Sequence, residues 1–196
     1  MTMQAAGEQI TAPNAAVNMN KLLQISCGAV YTDGGEALEF DISHRYKVLK
    51  EVIDESSKKV LVFVPFKNVI DVLVDKLCKD NIPTEIIRGD VPPTKRTEIF
   101  QRFQETPEPR VLVIQPKAAA HGVTLTAADT IVWWGPTSSV ETYEQANARI
   151  HRAGQTSKCT VIQLQGSHIE KRIYALLDNK LDAHTKIIDL YKEILA

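Results

Sequence analysis

Val60-Leu61-Val62-Phe63-Val64 is an uninterrupted run of apolar residues. A run this short predicts a β-strand that is buried on both of its faces. Four further strands are predicted on similar grounds, at residues 85–88, 111–114, 130–134 and 159–164. The segments between them repeat apolar residues at helical spacing, and strands that alternate with helices pair in parallel. We therefore predict an α/β fold with a central parallel sheet.

The helical segments complete this pattern. They are predicted at residues 12–25, 43–55, 68–79, 94–104, 139–150 and 168–195. Ser43 and Ser139 are predicted to cap two of them, because a serine side chain accepts hydrogen bonds from the first N–H groups of a helix. Ligands of parallel sheets bind at the carboxyl ends of the strands. Loops 65–67, 115–129 and 149–156 are therefore expected along that one edge.

The chain divides into four predicted segments. Residues 1–11 are expected to be a disordered tail or one added for expression, and residues 12–56 a helical entry segment. Residues 57–166 are expected to hold the sheet core. Residues 167–196 are expected to be a C-terminal helical extension.

Composition is that of an ordinary globular domain. The 196 residues include 24% charged and 44% hydrophobic residues, with a net charge of −1. A balanced charge means that any nucleic-acid contact must be a local patch. The three cysteines and five histidines show no metal-ligand spacing, so no metal site is predicted. With no bilayer-length apolar run and no leader signal, the expected location is the cytoplasm of a bacterium or phage-infected host, or the nucleus of a eukaryote.

Residues 145–155, QANARIHRAGQ, carry the strongest chemical signal. Arg149 and Arg152 are three positions apart, and on a predicted helix such positions share a face. Both guanidinium groups are then able to point at one polyanion, which arginine grips well because its planar fork stays charged. The competing interpretation is a solvated basic helix end.

The spacing Q-x-x-x-R-x-H-R-x-G-Q resembles motif VI of superfamily-two helicases, in the form of the Swi/Snf-type branch. Residues 117–130, KAAAHGVTLTAADT, resemble motif V of that group, and residues 59–66 resemble motif IV. Residues 19–27 and 169–173 resemble the helix that opens the second lobe and the helix that follows motif VI. The resemblance implies a RecA-like three-layer α/β/α fold with flanking helices, acting as the second motor lobe of an ATP-dependent DNA helicase or translocase.

The same resemblance implies an ATP-facing group. Arg149 and Arg152 would reach the γ-phosphate of ATP held on another domain, with Arg152 favoured as the arginine finger. Gln145 and Gly122 would complete the nucleotide contacts.

It also implies a group that contacts the nucleic-acid backbone. Thr124 stands where the family more often has a polar amide or an acid, and Gln115-Pro116 replaces a usual hydroxyl pair. These departures put one expected backbone hydrogen bond in doubt. The expected contacts are Lys67, Arg88, Lys117 and Thr124.

Two parts that phosphoryl transfer requires are missing from the sequence. There is no G-x-x-x-x-G-K-[ST] loop, and no D-E-x-[HD] follows an apolar strand. ATP and Mg²⁺ are therefore expected to bind mainly to an N-terminal RecA-like lobe of a longer protein. The chain alone is predicted to be monomeric and inactive, with DNA or RNA as a partner and no membrane contact.

Two alternatives belong to other classes of protein. One is a nucleotide-sugar or dinucleotide enzyme on a Rossmann-like sheet, which the absence of G-x-G-x-x-G disfavours. The other is a non-catalytic adaptor lobe that binds nucleic acid.

Trp133-Trp134 is also ambiguous, since a base-stacking platform and a buried core pair both fit, and the apolar strand around it favours the core.

Overall fold

The computed structural model describes residues 2–5, 8–11, 15–119 and 123–180. Its strands are β1 (Thr2–Ala5), β2 (Glu8–Thr11), β3 (Ala29–Tyr31), β4 (Ala37–Glu39), β5 (Lys59–Phe63), β6 (Thr84–Ile87), β7 (Val111–Ile114), β8 (Ala128–Trp133) and β9 (Thr160–Gln163). Its helices are α1 (Ala15–Cys27), α2 (Ser43–Glu55), α3 (Lys67–Lys79), α4 (Pro93–Glu105), α5 (Val140–Asn147) and α6 (His168–Asp178).

Five strands form one parallel sheet in the order β6-β7-β5-β8-β9. All five lie where the apolar runs predicted them, with shifts of one or two residues at their ends. The central strand is β5, and every one of its residues is buried. The prediction of a parallel α/β sheet with flanking helices is confirmed.

Helices cover both faces of the sheet, which gives three layers. Val60 and Val62 of β5 point to one side and pack with α2 and α3. Leu61 and Phe63 point to the other side and pack with α4, α5 and α6. The alternation follows from the two-residue period of a strand, so a strand covered on both sides must be apolar at every position.

The sequence had suggested that loops 65–67, 115–129 and 149–156 lie along one edge of the sheet, and this prediction is wrong. Residues 65–66 follow β5 at the carboxyl edge of the sheet, but residues 148–159 connect α5 to the beginning of β9 at the amino edge. Lys58, which immediately precedes β5, donates a hydrogen bond to Gln155 at 3.2 Å. The expectation fails because each crossover helix carries the chain back to the amino edge, so loops before and after a helix lie at opposite ends of the sheet.

The helix that was predicted to carry both arginines is shorter than expected. Ser139 caps it as predicted, accepting a hydrogen bond from Thr142 N at 3.1 Å. The helix ends at Asn147 and not at residue 150, and turns follow. Arg149 and Arg152 therefore lie in a turn-rich loop, and helical spacing does not bring them together.

Two hairpins precede the sheet. β3 and β4 pair on either side of Asp33-Gly34-Gly35, a pairing that the sequence analysis did not predict. β1 and β2 also pair, so residues 2–5 and 8–11 form a hairpin where a disordered tail was expected. Ile10 of β2 is fully buried, and two strands of four residues with few apolar positions leave too weak a pattern to predict from the sequence.

The start of α2 differs slightly from the prediction. Ser43 is its first residue and not its cap, and Asp41 accepts hydrogen bonds from the backbone and hydroxyl groups of Ser43. At the other end of the chain, residues 181–196 of the predicted C-terminal helix lie outside the described residues.

Candidate functional site

Arg149 is the most unusual polar residue of the amino edge. Only 4% of its surface is exposed, although arginine is almost never buried without partners. Its Nε and Nη1 atoms have no hydrogen-bond partner among the described residues. A buried guanidinium with two such donor atoms is well suited to bind an anion that the described residues do not supply.

The electrostatics of Arg149 agree with its geometry. Burial, and then the nearby positive charge of Arg152, lower the pKa of Arg149 from its ordinary value. Both effects disfavour the charged form, and an anion beside the guanidinium would oppose both. The arrangement therefore favours a negatively charged ligand at this position.

Arg152 lies in the same loop but is exposed to solvent. Its Nη1 atom lies 3.4 Å from the hydroxyl oxygen of Thr124. Next to this contact, Leu125 N donates to the carbonyl oxygen of Arg149 at 3.0 Å. Residues 123–127, which precede β8, thus run beside residues 148–159, the segment between α5 and β9 that we call the arginine loop. Thr124, predicted to contact nucleic acid, lies with the two arginines that were predicted to face ATP and not with Lys67, Arg88 and Lys117.

Gln155 fastens the arginine loop to its neighbours, a role that the sequence did not indicate. Its side-chain amide donates to the carbonyl oxygens of Ala128 at 2.8 Å, Ile150 at 3.3 Å and Thr126 at 3.4 Å. Gly154 precedes it with a φ of +96°, a conformation that favours glycine. The Gly154-Gln155 pair that ends the motif could have indicated this role, because a glutamine directly after a glycine turn is well placed to bind nearby backbone carbonyl groups.

The other two predicted nucleotide contacts are less informative. Gln145 is exposed on α5, and its amide donates to Glu141 at 2.9 Å within the same helix. Gly122 lies outside the described residues, as do its neighbours at positions 120 and 121.

The carboxyl edge brings two of the predicted nucleic-acid contacts together. Lys67 begins α3 after β5, and Arg88 follows β6. Asp90 joins them, with its carboxylate 2.7 Å from Lys67 Nζ and 2.9 Å from Arg88 Nε. Arg88 also pairs with Asp71 of α3. The two cations are therefore paired with carboxylates, which the sequence analysis had missed.

Lys117 occupies a short 3-10 turn, Pro116–Ala119, that follows β7 at the same edge. Its side chain is exposed. The adjoining Gln115 accepts a hydrogen bond from Gly89 N at 3.1 Å, which links this turn to the one after β6. Lys67, Arg88 and Lys117 thus come from three adjacent strands of the sheet and share one edge.

Arg96 of α4 contacts the turn that follows β6. Its guanidinium donates to the carbonyl oxygens of Val91 at 2.7 Å and Gly89 at 2.9 Å. It therefore holds the turn that carries Arg88 and Asp90 in place.

Trp133 and Trp134 are fully buried, which confirms the core interpretation and rules out base stacking. Trp133 donates to Asn147 at 2.9 Å and Trp134 to the carbonyl oxygen of Cys27 at 2.8 Å.

Within the described part of the chain, no group of three or more metal-ligating side chains is found, and no helix is long and apolar enough to cross a membrane.

A sizeable cavity lies away from both groups of predicted site residues. It has a volume of about 720 Å³ and is lined by residues of α2 and by residues at the end of β9, including His44, Arg45 and Gln165. None of the described residues predicted for ATP or nucleic acid lines it.

Known proteins resemble this chain in sequence. The family described as "Helicase conserved C-terminal domain" matches residues 44–154. The ATP-dependent helicase ULS1 of Saccharomyces cerevisiae is 31% identical over 165 residues, which cover 78% of this chain and 10% of that protein. The mouse protein named DNA annealing helicase and endonuclease ZRANB3 is 27% identical over 152 residues, covering 75% of this chain and 14% of that protein. The chain thus spans only a small part of these relatives.

A solved structure resembles the fold as well. The C-terminal part of the Fun30 ATPase domain superposes with a TM-score of 0.67 at 27% identity, covering 78% of this chain and 51% of that one. The match supports a RecA-like fold for the sheet and its helices. The family match extends over both sheet edges and includes Arg149 and Arg152.

Proposed function

Because this chain belongs to the helicase C-terminal domain family and is a RecA-like lobe of the Swi/Snf type, we propose that it works as the second motor lobe of an ATP-dependent DNA translocase. ATP and Mg²⁺ bind mainly to a first lobe, and the two lobes close around the nucleotide. The match to helicases leaves the dinucleotide-enzyme alternative without support.

One observation carries the catalytic part of this proposal. Arg149 is buried at 4% exposure, with two donor atoms that have no partner among the described residues. A γ-phosphate presented by the first lobe would satisfy those donors. Arg152, exposed in the same loop, would then reach the charge that gathers in the transition state, where a single arginine accelerates turnover by about 10³–10⁵-fold.

The supporting contacts give the arginine loop a defined shape before ATP arrives. Gln155 links it to Thr126 and Ala128, and Leu125 N binds the Arg149 carbonyl. Because these contacts already fix the loop, no free energy is spent on ordering it during the reaction. Preorganised charges contribute to catalysis in this way. Gln145 and Gly122 contribute further contacts to the nucleotide.

The carboxyl edge supplies the nucleic-acid contact in this proposal. Lys67, Arg88 and Lys117 project from three adjacent crossovers, where they meet the phosphates of a DNA backbone. Contacts of this kind carry no sequence information. Binding is therefore weak, independent of sequence and sensitive to salt.

Two measurements on the isolated chain test the proposal. We expect no ATPase activity with or without DNA, because the parts that hold the phosphates and the metal belong to the first lobe. A robust DNA-stimulated rate from the purified chain would contradict the assignment to a second lobe.

The nucleic-acid contact is tested by the triple variant Lys67→Ala, Arg88→Ala, Lys117→Ala. We expect it to bind fluorescent DNA more weakly than the wild type and with a shallower salt dependence. The matched control carries Lys47→Ala, Lys79→Ala and Arg102→Ala, which remove the same charge elsewhere on the surface. Equal affinities of the two triple variants would disprove the proposed edge.

A further inference from the structure

The ion pairs at the carboxyl edge neutralise the cations that the proposed function assigns to DNA. Lys67 and Arg88 carry two positive charges, and Asp71 and Asp90 carry two negative charges within contact distance. The four side chains sum to zero. A DNA phosphate that approaches this edge meets occupied cations and not a bare basic patch.

Asp90 has the central place in this group. It is the residue that contacts both cations, with one carboxylate oxygen on Lys67 at 2.7 Å and the other on Arg88 at 2.9 Å. Lys67 follows β5 and Arg88 follows β6, and β7 lies between those two strands. The two oxygens of this carboxylate therefore connect the segments that follow β5 and β6. Two oxygens of one phosphate group could connect the same two cations.

The turn that carries Asp90 is fixed from both sides. Arg96 donates to the carbonyl oxygens on either side of Asp90, those of Gly89 and Val91. Gly89 N in turn donates to Gln115 at 3.1 Å. The carboxylate is therefore held at the edge by contacts that do not involve the two cations.

Stability does not account for this arrangement. The side chains of Lys67 and Asp90 are 50% and 43% exposed, and ion pairs this exposed to solvent contribute little to folding stability. The positive charges of Lys67 and Arg88 nonetheless lower the pKa of Asp90, so the carboxylate stays ionised at neutral pH. Its main effect is on the charge that the edge presents to a ligand.

We propose that Asp90 is a specificity-determining residue that occupies the phosphate position between Lys67 and Arg88, so that nucleic acid must displace it in order to bind. This inference rests on the proposed nucleic-acid contact. It makes the edge selective for backbones that offer several phosphates at once, because a single phosphate that displaces the Asp90 carboxylate only exchanges one anion for another.

Asp90→Asn tests this directly, since it removes the charge and keeps the shape. The probe is a fluorescein-labelled mixed-sequence DNA of 20 nucleotides, as a single strand and as a duplex, with anisotropy recorded over a salt series. We expect affinity at low salt to rise about fivefold or more and the slope of log affinity against log salt to steepen by about one, as for one additional uncompensated cation. The thermal midpoint should stay close to that of the wild type.

Asp75→Asn is the matched control. Asp75 lies on α3 and pairs with Lys79 at an exposed site away from the edge, so it gives the same change in net charge. If Asp90→Asn binds no more tightly than Asp75→Asn, the inference is wrong. Weaker binding by Asp90→Asn would also overturn it, because the carboxylate would then be positioning the cations.

The two proposals fail in different ways. If the triple variant at Lys67, Arg88 and Lys117 binds as well as its own control, the nucleic-acid edge itself is wrong. If that variant loses affinity but Asp90→Asn gains none, the edge stands and only the role of Asp90 is lost.

Discussion

Arg45 and Glu170 form a buried ion pair, with 2.8 Å between Nη2 and Oε2. Glu170 is completely buried, and its carboxylate also accepts hydrogen bonds from the backbone N–H groups of Gly166 and Ser167. Arg45 donates in addition to the carbonyl oxygens of Trp134 and Leu164. The pair joins α2 on one face of the sheet to the beginning of α6 on the other, around the ends of β8 and β9.

Glu170→Ala is expected to destabilise the chain strongly. It leaves the Arg45 guanidinium without its carboxylate in a site that water reaches poorly, and breaking a buried pair from one side costs about 3–5 kcal/mol. Urea unfolding measures the change in the free energy of unfolding. The exposed pair between Asp75 and Lys79 is the comparison, and Asp75→Ala should cost less than about 1 kcal/mol. If Glu170→Ala and Asp75→Ala lower the free energy of unfolding by similar amounts, burial does not determine how much an ion pair stabilises this fold.

Arg149→Met should stabilise the isolated chain. The substitution replaces a buried guanidinium, whose Nε and Nη1 have no partner among the described residues, with an apolar side chain of similar length. This is expected to raise the free energy of unfolding by about 1–3 kcal/mol. Lys95→Met on the surface of α4 is the control and should change stability by less than about 0.5 kcal/mol. A marked loss of stability in Arg149→Met would mean that the guanidinium is satisfied within the fold.

The same variant should lose its response to anions. Tripolyphosphate is expected to raise the thermal midpoint of the wild type, because a ligand that binds only the folded state stabilises it. Arg149→Met should show a smaller rise at every concentration. An equal response in the two proteins would place the anion site elsewhere.

Arg152→Ala should act on turnover in a protein that joins this lobe to its ATP-binding lobe. We expect the rate at saturating DNA to fall by about 10³-fold or more, with folding and DNA binding nearly intact. Arg152→Lys should recover little, because an ammonium group does not reproduce the planar fork. Arg149→Ala should also reduce turnover, with a larger share of the loss in ATP affinity. Steady-state ATPase assays and a thermal melt measure these effects, and near-normal kcat in folded Arg152→Ala would remove the catalytic role.

Cysteine reactivity reports on the packing around the ion pair. Burial, with the nearby Glu170 carboxylate, raises the pKa of the Cys27 thiol far above its ordinary value. The reactive thiolate is therefore scarce at pH 8, and solvent does not reach it. Iodoacetamide should modify exposed Cys78 readily and Cys27 only after unfolding in urea. Modification of Cys27 in the native protein at the rate of Cys78 would show that this region opens.

The sequence predicts the sheet well because burial on both faces leaves a plain signal. Val111–Ile114 is apolar throughout and forms β7 with the predicted bounds. The end of α5 was missed because Ala148, Arg149 and Ile150 are all compatible with a helix. The turn is stabilised by contacts from distant residues, including Leu125 N to the Arg149 carbonyl.

The composition of the site was partly predictable and its arrangement was not. The motifs identified Arg149 and Arg152 from residue type and spacing. Their placement at the amino edge depends on the crossover geometry, and the pairing of Arg88 with Asp71 depends on a contact between residues 17 positions apart. Neither leaves a trace in local periodicity.

Five residues of β5 separate the arginine loop at the amino edge from Lys67 and Arg88 at the carboxyl edge. At about 3.3 Å per residue, the two groups are roughly 16 Å apart. Substitutions that far apart without shared partners combine additively in free energy. Under the proposed function, substitutions at the carboxyl edge are therefore expected to change DNA affinity while leaving the proposed nucleotide contacts of Arg149 and Arg152 unchanged, and departures from additivity will identify residues that couple the two ends of the sheet.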